Sequence, residues 1–182
     1  MNDAVGPFST SPPTMGLRAT IGAGAARSAA CSPGTARIGP IEGLEFRGAE
    51  RASPSEQVLA AIAHARAIFI GPSNPLASIG PILAVPGLEA ALGAAPAPIV
   101  AVSPVVGGEV LKGPTASFMA FAGRQCSAQG VAELYGELLD GMVADEDVAG
   151  LPTLQTETRM NDARARARVA REALGFAAAL GG

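Results

Sequence analysis

From about residue 43 onward the sequence predicts an α/β layered domain with a mostly parallel sheet. Three observations predict it. Ala67–Ile70 and Pro98–Val102 are short, unbroken apolar runs, each followed at once by a Pro-containing loop. Unbroken apolar runs of strand length fit strands buried on both faces, as parallel strands are. Helical periods alternate with these runs, and such alternation means layers of helix on a sheet. The chain then closes on an amphipathic stretch, Asp162–Leu180, with an apolar stripe at Val169, Ala173, Phe176 and Leu180 and with Leu174 and Ala177 beside it.

The elements follow in order. Residues 1–42 are a low-complexity segment dominated by Gly, Ala, Ser, Pro and Thr, with breakers from Pro7 to Pro40. No helical or strand period survives among them. This segment is expected to stay disordered or non-native, because it buries too little apolar surface to offset the entropy of ordering. Residues 43–182 carry the structured part. Leu44–Arg47 reads as a short strand. Ser53, Pro54 and Glu56 then make a helix start with Ser53 as N-cap, and Val58, Leu59, Ile62 and Ala63 recur at helical spacing. A helix over Pro81–Leu92 is broken at Pro86. Thr115–Ala122 and Ala128–Leu139 are helical, the second capped by Ser127. Met142–Ala144 and Thr153–Thr156 are short strands. Asn161 is the expected N-cap of the closing helix, with Asp162 suited to its positive end.

Composition excludes several functions. The chain has 182 residues, enough for one ordinary domain, and 48% of them are apolar. Thirteen basic and sixteen acidic side chains give a net charge of −3. Nucleic acid would ask for a basic face and an anionic membrane for a polybasic patch, and neither is present. No apolar run reaches the roughly 20 residues that span a bilayer. The opening residues lack a secretion signal, and Cys31 and Cys126 sit in no metal-type spacing. A cytoplasmic protein in a reducing compartment is the expectation.

Ligands of parallel sheets bind beyond the carboxyl ends of the strands. The loop Gly71–Pro81 leaves such an end. Ser73, Asn74 and Ser78 supply polar side chains there, and the backbone N–H groups of Ile79 and Gly80 would face a phosphate above a helix starting at Pro81. A rigid connector whose Ser and Asn only satisfy its own backbone fits equally well. The loop Ser103–Pro114 leaves the other strand. Gly107 and Gly108 let backbone approach a ligand closely, and Lys112 would neutralise a diphosphate; the bland alternative is a turn with a solvated lysine. Thr156 and Thr158, past the last strand, are further candidates to face a nucleotide. The acidic cluster Asp145-Glu146-Asp147 reads as a solvated turn, His64 as a helix-end cation, and Cys126 as a small core filler. Ile21-Gly22-Ala23-Gly24 resembles a phosphate loop only superficially.

These loops lie in segments that resemble a known family. AIFIGPSNPLASIGPILAVPGLEAAL, PIVAVSPVVGGEVLKGP, LLDGMVADE and TLQTETRMNDARARARVAREALGFA are similar, in order, to the pattern of the 2-phospho-L-lactate or phosphoenolpyruvate transferases of coenzyme F(420) biosynthesis. The resemblance spans about residues 43–182. It implies a Rossmann-like domain and a transferase whose donor is a guanosine diphosphate ester of lactate or enolpyruvate. The acceptor would be the hydroxyl of the deazaflavin Fo, the leaving group GMP and the assisting cofactor magnesium. With the charge balance, no nucleic acid or membrane partner is expected, and a homodimer stays open. The glycine-rich opening of the family is not recognisable here, so the resemblance covers the C-terminal part of the domain, the N-terminal half being absent. An exposed hydrophobic sheet edge, marginal stability and little turnover by the chain alone are the corresponding expectations. TETRM at residues 156–160 departs from the family's TDTLM. Two alternatives remain: a nucleotide-sugar-binding protein resembling the related gluconeogenesis factors, and an inactive remnant.

Overall fold

A computed structural model of the chain describes residues 16–21, 40–110 and 113–182. Its centre is a four-stranded, all-parallel sheet in the order β3-β4-β7-β8, made of Ile68–Ile70, Ile99–Val102, Gly141–Ala144 and Thr153–Gln155. This is the α/β layered, Rossmann-like arrangement that the apolar runs predict.

Burial on both faces explains why the strands show no polar alternation. In β4, Ile99 and Ala101 join a cluster with Met119, Val131, Tyr135 and Met142 on one face. Val100 and Val102 join Val143, Val169, Ala173 and Ala177 on the other. Helices α4 (Thr115–Phe121) and α5 (Ala128–Tyr135) cover the first face, and α6 (Ala163–Leu180) covers the second. Gly141 in β7 makes α6 fit: a Cβ built there would stand 2.7 Å from the side chains of both Phe176 and Leu180. Leu174, which the sequence placed beside the buried stripe, is instead 58% exposed.

Several boundaries differ from expectation for local reasons. Helix α1 (Glu56–Ala63) is capped by Ser55, whose Oγ accepts from the Val58 N–H at 3.3 Å, so it starts beyond Ser53 and Pro54. Asp162, not Asn161, caps α6, its Oδ1 accepting from Ala165 N–H at 2.7 Å. Ser127 caps α5 as expected, accepting from Gly130 N–H at 3.1 Å. The helical region after β3 starts at Pro75 rather than Pro81. A π-turn over Pro75–Ile79 leads into α2 (Gly80–Leu83), and α3 (Leu88–Gly93) follows the break at Pro86.

Before residue 42, where the sequence shows no strand period, Gly16–Ile21 forms β1. It pairs antiparallel with β2 (Ile41–Arg47). The remaining small elements are β5 (Val105–Val106) and β6 (Glu109–Val110), a hairpin.

Tyr135, the only tyrosine of the chain, is buried against the sheet, and desolvation pushes its phenol well above the usual value. Because the folded-state pKa lies above the unfolded one, this group's contribution to stability is complete below pH ~10 and is lost as the pH rises beyond it. In an alkaline titration the tyrosinate absorbance is therefore expected to appear together with unfolding. A phenol that ionises near pH 10 in the folded chain would refute this.

Candidate functional site

The loops beyond β3, β4 and β8 converge on one cavity of about 810 Å³ at the carboxyl ends of the strands. That is where open parallel sheets take ligands. Each wall is set by local hydrogen bonding. In the β3 loop, Asn74 is extended and its Oδ1 accepts from Leu76 N–H at 3.0 Å and Ala77 N–H at 2.7 Å. This caps the π-turn. Its Nδ2 donates at 3.2 Å to Thr115 Oγ1 at the start of α4, which ties the first wall to the second. Ser73 and Ser78 stand on either side of this anchor and line the cavity with it.

In the β4 loop, buried Ser103 donates to Val105 O at 3.0 Å and accepts from Val105 N–H at 3.1 Å. That closes the turn and leaves Ser103, Pro104 and Val106 in the wall, joined by Gly113, Pro114 and Thr115. The third wall is Thr158, Met160, Asn161 and Arg166, from the segment that opens α6.

The structure thus brings Ser73, Asn74 and Ser78 into the cavity and places other sequence candidates elsewhere. The N–H of Ile79 donates to Asn74 O at 3.1 Å and that of Gly80 to Pro75 O, so both amides are used inside the π-turn. Gly80 is a packing position: a Cβ there would lie 2.8 Å from the Phe46 ring. Gly107 and Gly108, with φ of 62° and 72°, form the two-residue turn between β5 and β6. Positive φ at both positions suits a hairpin turn. Gly107 N–H donates to Asp145 Oδ2, and neither glycine lines the cavity. Lys112 lies outside the described residues, as do Gly22 to Gly24. Thr156 points away from the cavity: its Oγ1 donates to Glu172 Oε2 at 2.8 Å and accepts from Arg168 at 3.0 Å.

The residues that sequence reasoning missed are Thr115, Ser103 and Arg166, which only the fold brings beside the β3 loop. The acidic cluster, read as a solvated turn, has specific partners. Asp145 holds Gly107, and Glu146 Oε1 accepts from Ala128 N–H at 2.6 Å. His64 sits at the C-cap of α1, with Nδ1 2.8 Å from Ala60 O.

The cavity's electrostatics are one-sided. Its described lining carries hydroxyls, the Asn74 and Asn161 amides and the Arg166 guanidinium, and no carboxylate. Such a wall donates to anions and repels none. Among the described residues no group of three His, Cys, Asp or Glu side chains is placed to hold a metal ion. Nor, among them, is any helix long and apolar enough to cross a membrane.

Comparison with known proteins gives these loops a context. The family model described as 2-phospho-L-lactate transferase CofD matches residues 7–177. A phosphoenolpyruvate transferase of Kitasatospora aureofaciens is 41% identical over 140 residues, covering 71% of this chain and 44% of the relative. A 2-phospho-L-lactate transferase of Haloarcula marismortui is 43% identical over 135 residues, covering 72% of this chain and 39% of the relative. One from Methanosarcina mazei is 42% identical over 106 residues, covering 58% of this chain and 34% of the relative. The chain therefore spans less than half the length of these relatives.

Proposed function

The chain belongs to the 2-phospho-L-lactate transferase CofD family, and from that premise we propose that its cavity holds the donor of a phospho-acid transfer in coenzyme F(420) biosynthesis. In this reading a guanosine diphosphate ester of lactate or enolpyruvate lies across the three loops. The hydroxyl of the deazaflavin Fo attacks the terminal phosphorus. A P–O bond forms to the ribityl oxygen as its proton passes to solvent, the P–O bond to the GMP moiety breaks, and GMP leaves.

The observation that carries the reading is the carboxylate-free polar wall at the carboxyl ends of β3, β4 and β8. Catalysis of phosphoryl transfer is chiefly positioning and charge stabilisation. The residues here are suited to that work and not to acid–base chemistry. Asn74 fixes the loop that presents Ser73 and Ser78, and Arg166 supplies positive charge. The single histidine lies at the end of α1 and not in the cavity wall.

Calorimetry of the full chain with GDP and with UDP-sugars tests the reading. Binding of GDP with little affinity for UDP-sugars is expected. Selective binding of a UDP-sugar would replace the transferase reading with that of a nucleotide-sugar-binding protein.

A further inference from the structure

One buried hydroxyl in the cavity wall makes no hydrogen bond among the described residues. Thr158 is 2% exposed, and its Oγ1 is the only buried side-chain oxygen or nitrogen without a hydrogen-bond partner among the described residues. Buried hydroxyls are almost always paired, because an unmade hydrogen bond destabilises the folded state. Thr158 nevertheless lines the cavity, together with Arg166 from the first turn of α6. The guanidinium of Arg166 has no hydrogen bond or ion pair among the described residues. The contrast with the next arginine on that helix is plain. Arg168 is tied to Glu172 at 3.1 Å, to Thr156 at 3.0 Å and to the Glu157 carbonyl at 2.6 Å.

The geometry points to a built oxyanion subsite at the α6 wall of the cavity. The Thr158 hydroxyl donates to a phosphate or carboxylate oxygen of the bound ligand, and Arg166 pairs with its charge. The pair is a specificity determinant: a ligand without an acceptor oxygen at this wall would leave the Thr158 hydroxyl unpaired, and a neutral one would leave the arginine without a counter-charge. This inference rests on the reading of the cavity as a donor site, and it names which wall reads the donor's negative charge.

The test uses the full chain with three probes: inorganic phosphate, phosphoenolpyruvate and GDP. Thr158→Val keeps the shape and removes the hydroxyl. Its unfolding midpoint is expected to equal or exceed that of the unsubstituted chain, while affinity for the anionic probes falls about tenfold. Arg166→Gln is expected to weaken the same probes by a similar factor and to flatten the salt dependence of binding. A loss shared by all three probes assigns the subsite to phosphate; a loss confined to phosphoenolpyruvate assigns it to carboxylate. Either supports the subsite. The inference is overturned if Thr158→Val lowers the unfolding midpoint, if both variants bind the probes unchanged, or if the unsubstituted chain binds none of them. Phosphate binding that depends on Thr158 and Arg166, together with selective UDP-sugar binding, would sink the transferase reading and leave the subsite standing.

Discussion

Gly130→Ala is expected to cost the chain about 3 kcal/mol of stability, the cost of forcing a methyl into space already filled by atoms that cannot move aside. The glycine is the third residue of α5, and a Cβ there would stand 2.1 Å from the Gln125 carbonyl oxygen and 3.0 Å from its carbon. Both are backbone atoms. The chain just ahead of the helix folds back over this position, and its other contacts hold it there. Ser127 Oγ accepts from Gly130 N–H, and Ala128 N–H donates to Glu146. Ala128 and Val131 are fully buried beside it. Gly175→Ala is the control: the residue lies mid-helix in α6 with nothing within 4 Å of a built Cβ. There the substitution should stabilise by roughly 0.5–1 kcal/mol through helix propensity. Urea midpoints for both variants decide the matter, and a Gly130→Ala midpoint equal to that of the unsubstituted chain would show that the turn before α5 yields.

The second large effect is expected at Asn74. Asn74→Ala removes the acceptor for two N–H groups and the donor to Thr115, whose hydroxyl is then left buried. About 2 kcal/mol of stability should be lost, and GDP affinity should fall by more than about tenfold as Ser73 and Ser78 lose their support. Asn74→Asp separates the two consequences. It keeps the capping oxygen and so most of the stability. It also introduces a carboxylate into a wall that has none, so nucleotide binding should still fail. Retained GDP binding by the Asp variant would mean that the ligand does not approach this loop.

The inner strands of the sheet were legible because burial on both faces leaves an unbroken apolar run, as in Pro98–Val102. The helix starts were less so, because Ser53 and Ser55 compete for one cap and Pro75 and Pro81 for one first turn. Local sequence does not rank such neighbours. β1 went unseen because its pairing is with β2, across a segment rich in breakers. The site was half legible. Ser73, Asn74 and Ser78 follow a strand directly, so the topological rule finds them. Thr115 lies 41 positions from its partner Asn74, and no local pattern connects them. Thr156 and Thr158 have the same chemistry two residues apart. Only the packing of α6 turns the first toward Glu172 and buries the second at the cavity.

The bare backbone of Gly141 has an effect at a distance. Phe176 and Leu180 rest on it at the far end of an 18-residue helix whose opening turn carries Arg166. Such a helix is a rod of roughly 27 Å, so its seat acts as a fulcrum. A side chain at position 141 would first displace the tips of Phe176 and Leu180, and whatever shift that left in the rod would reach the arginine at its other end. Ligand affinity would then be tuned from the opposite end of the sheet, by a residue that never meets the ligand.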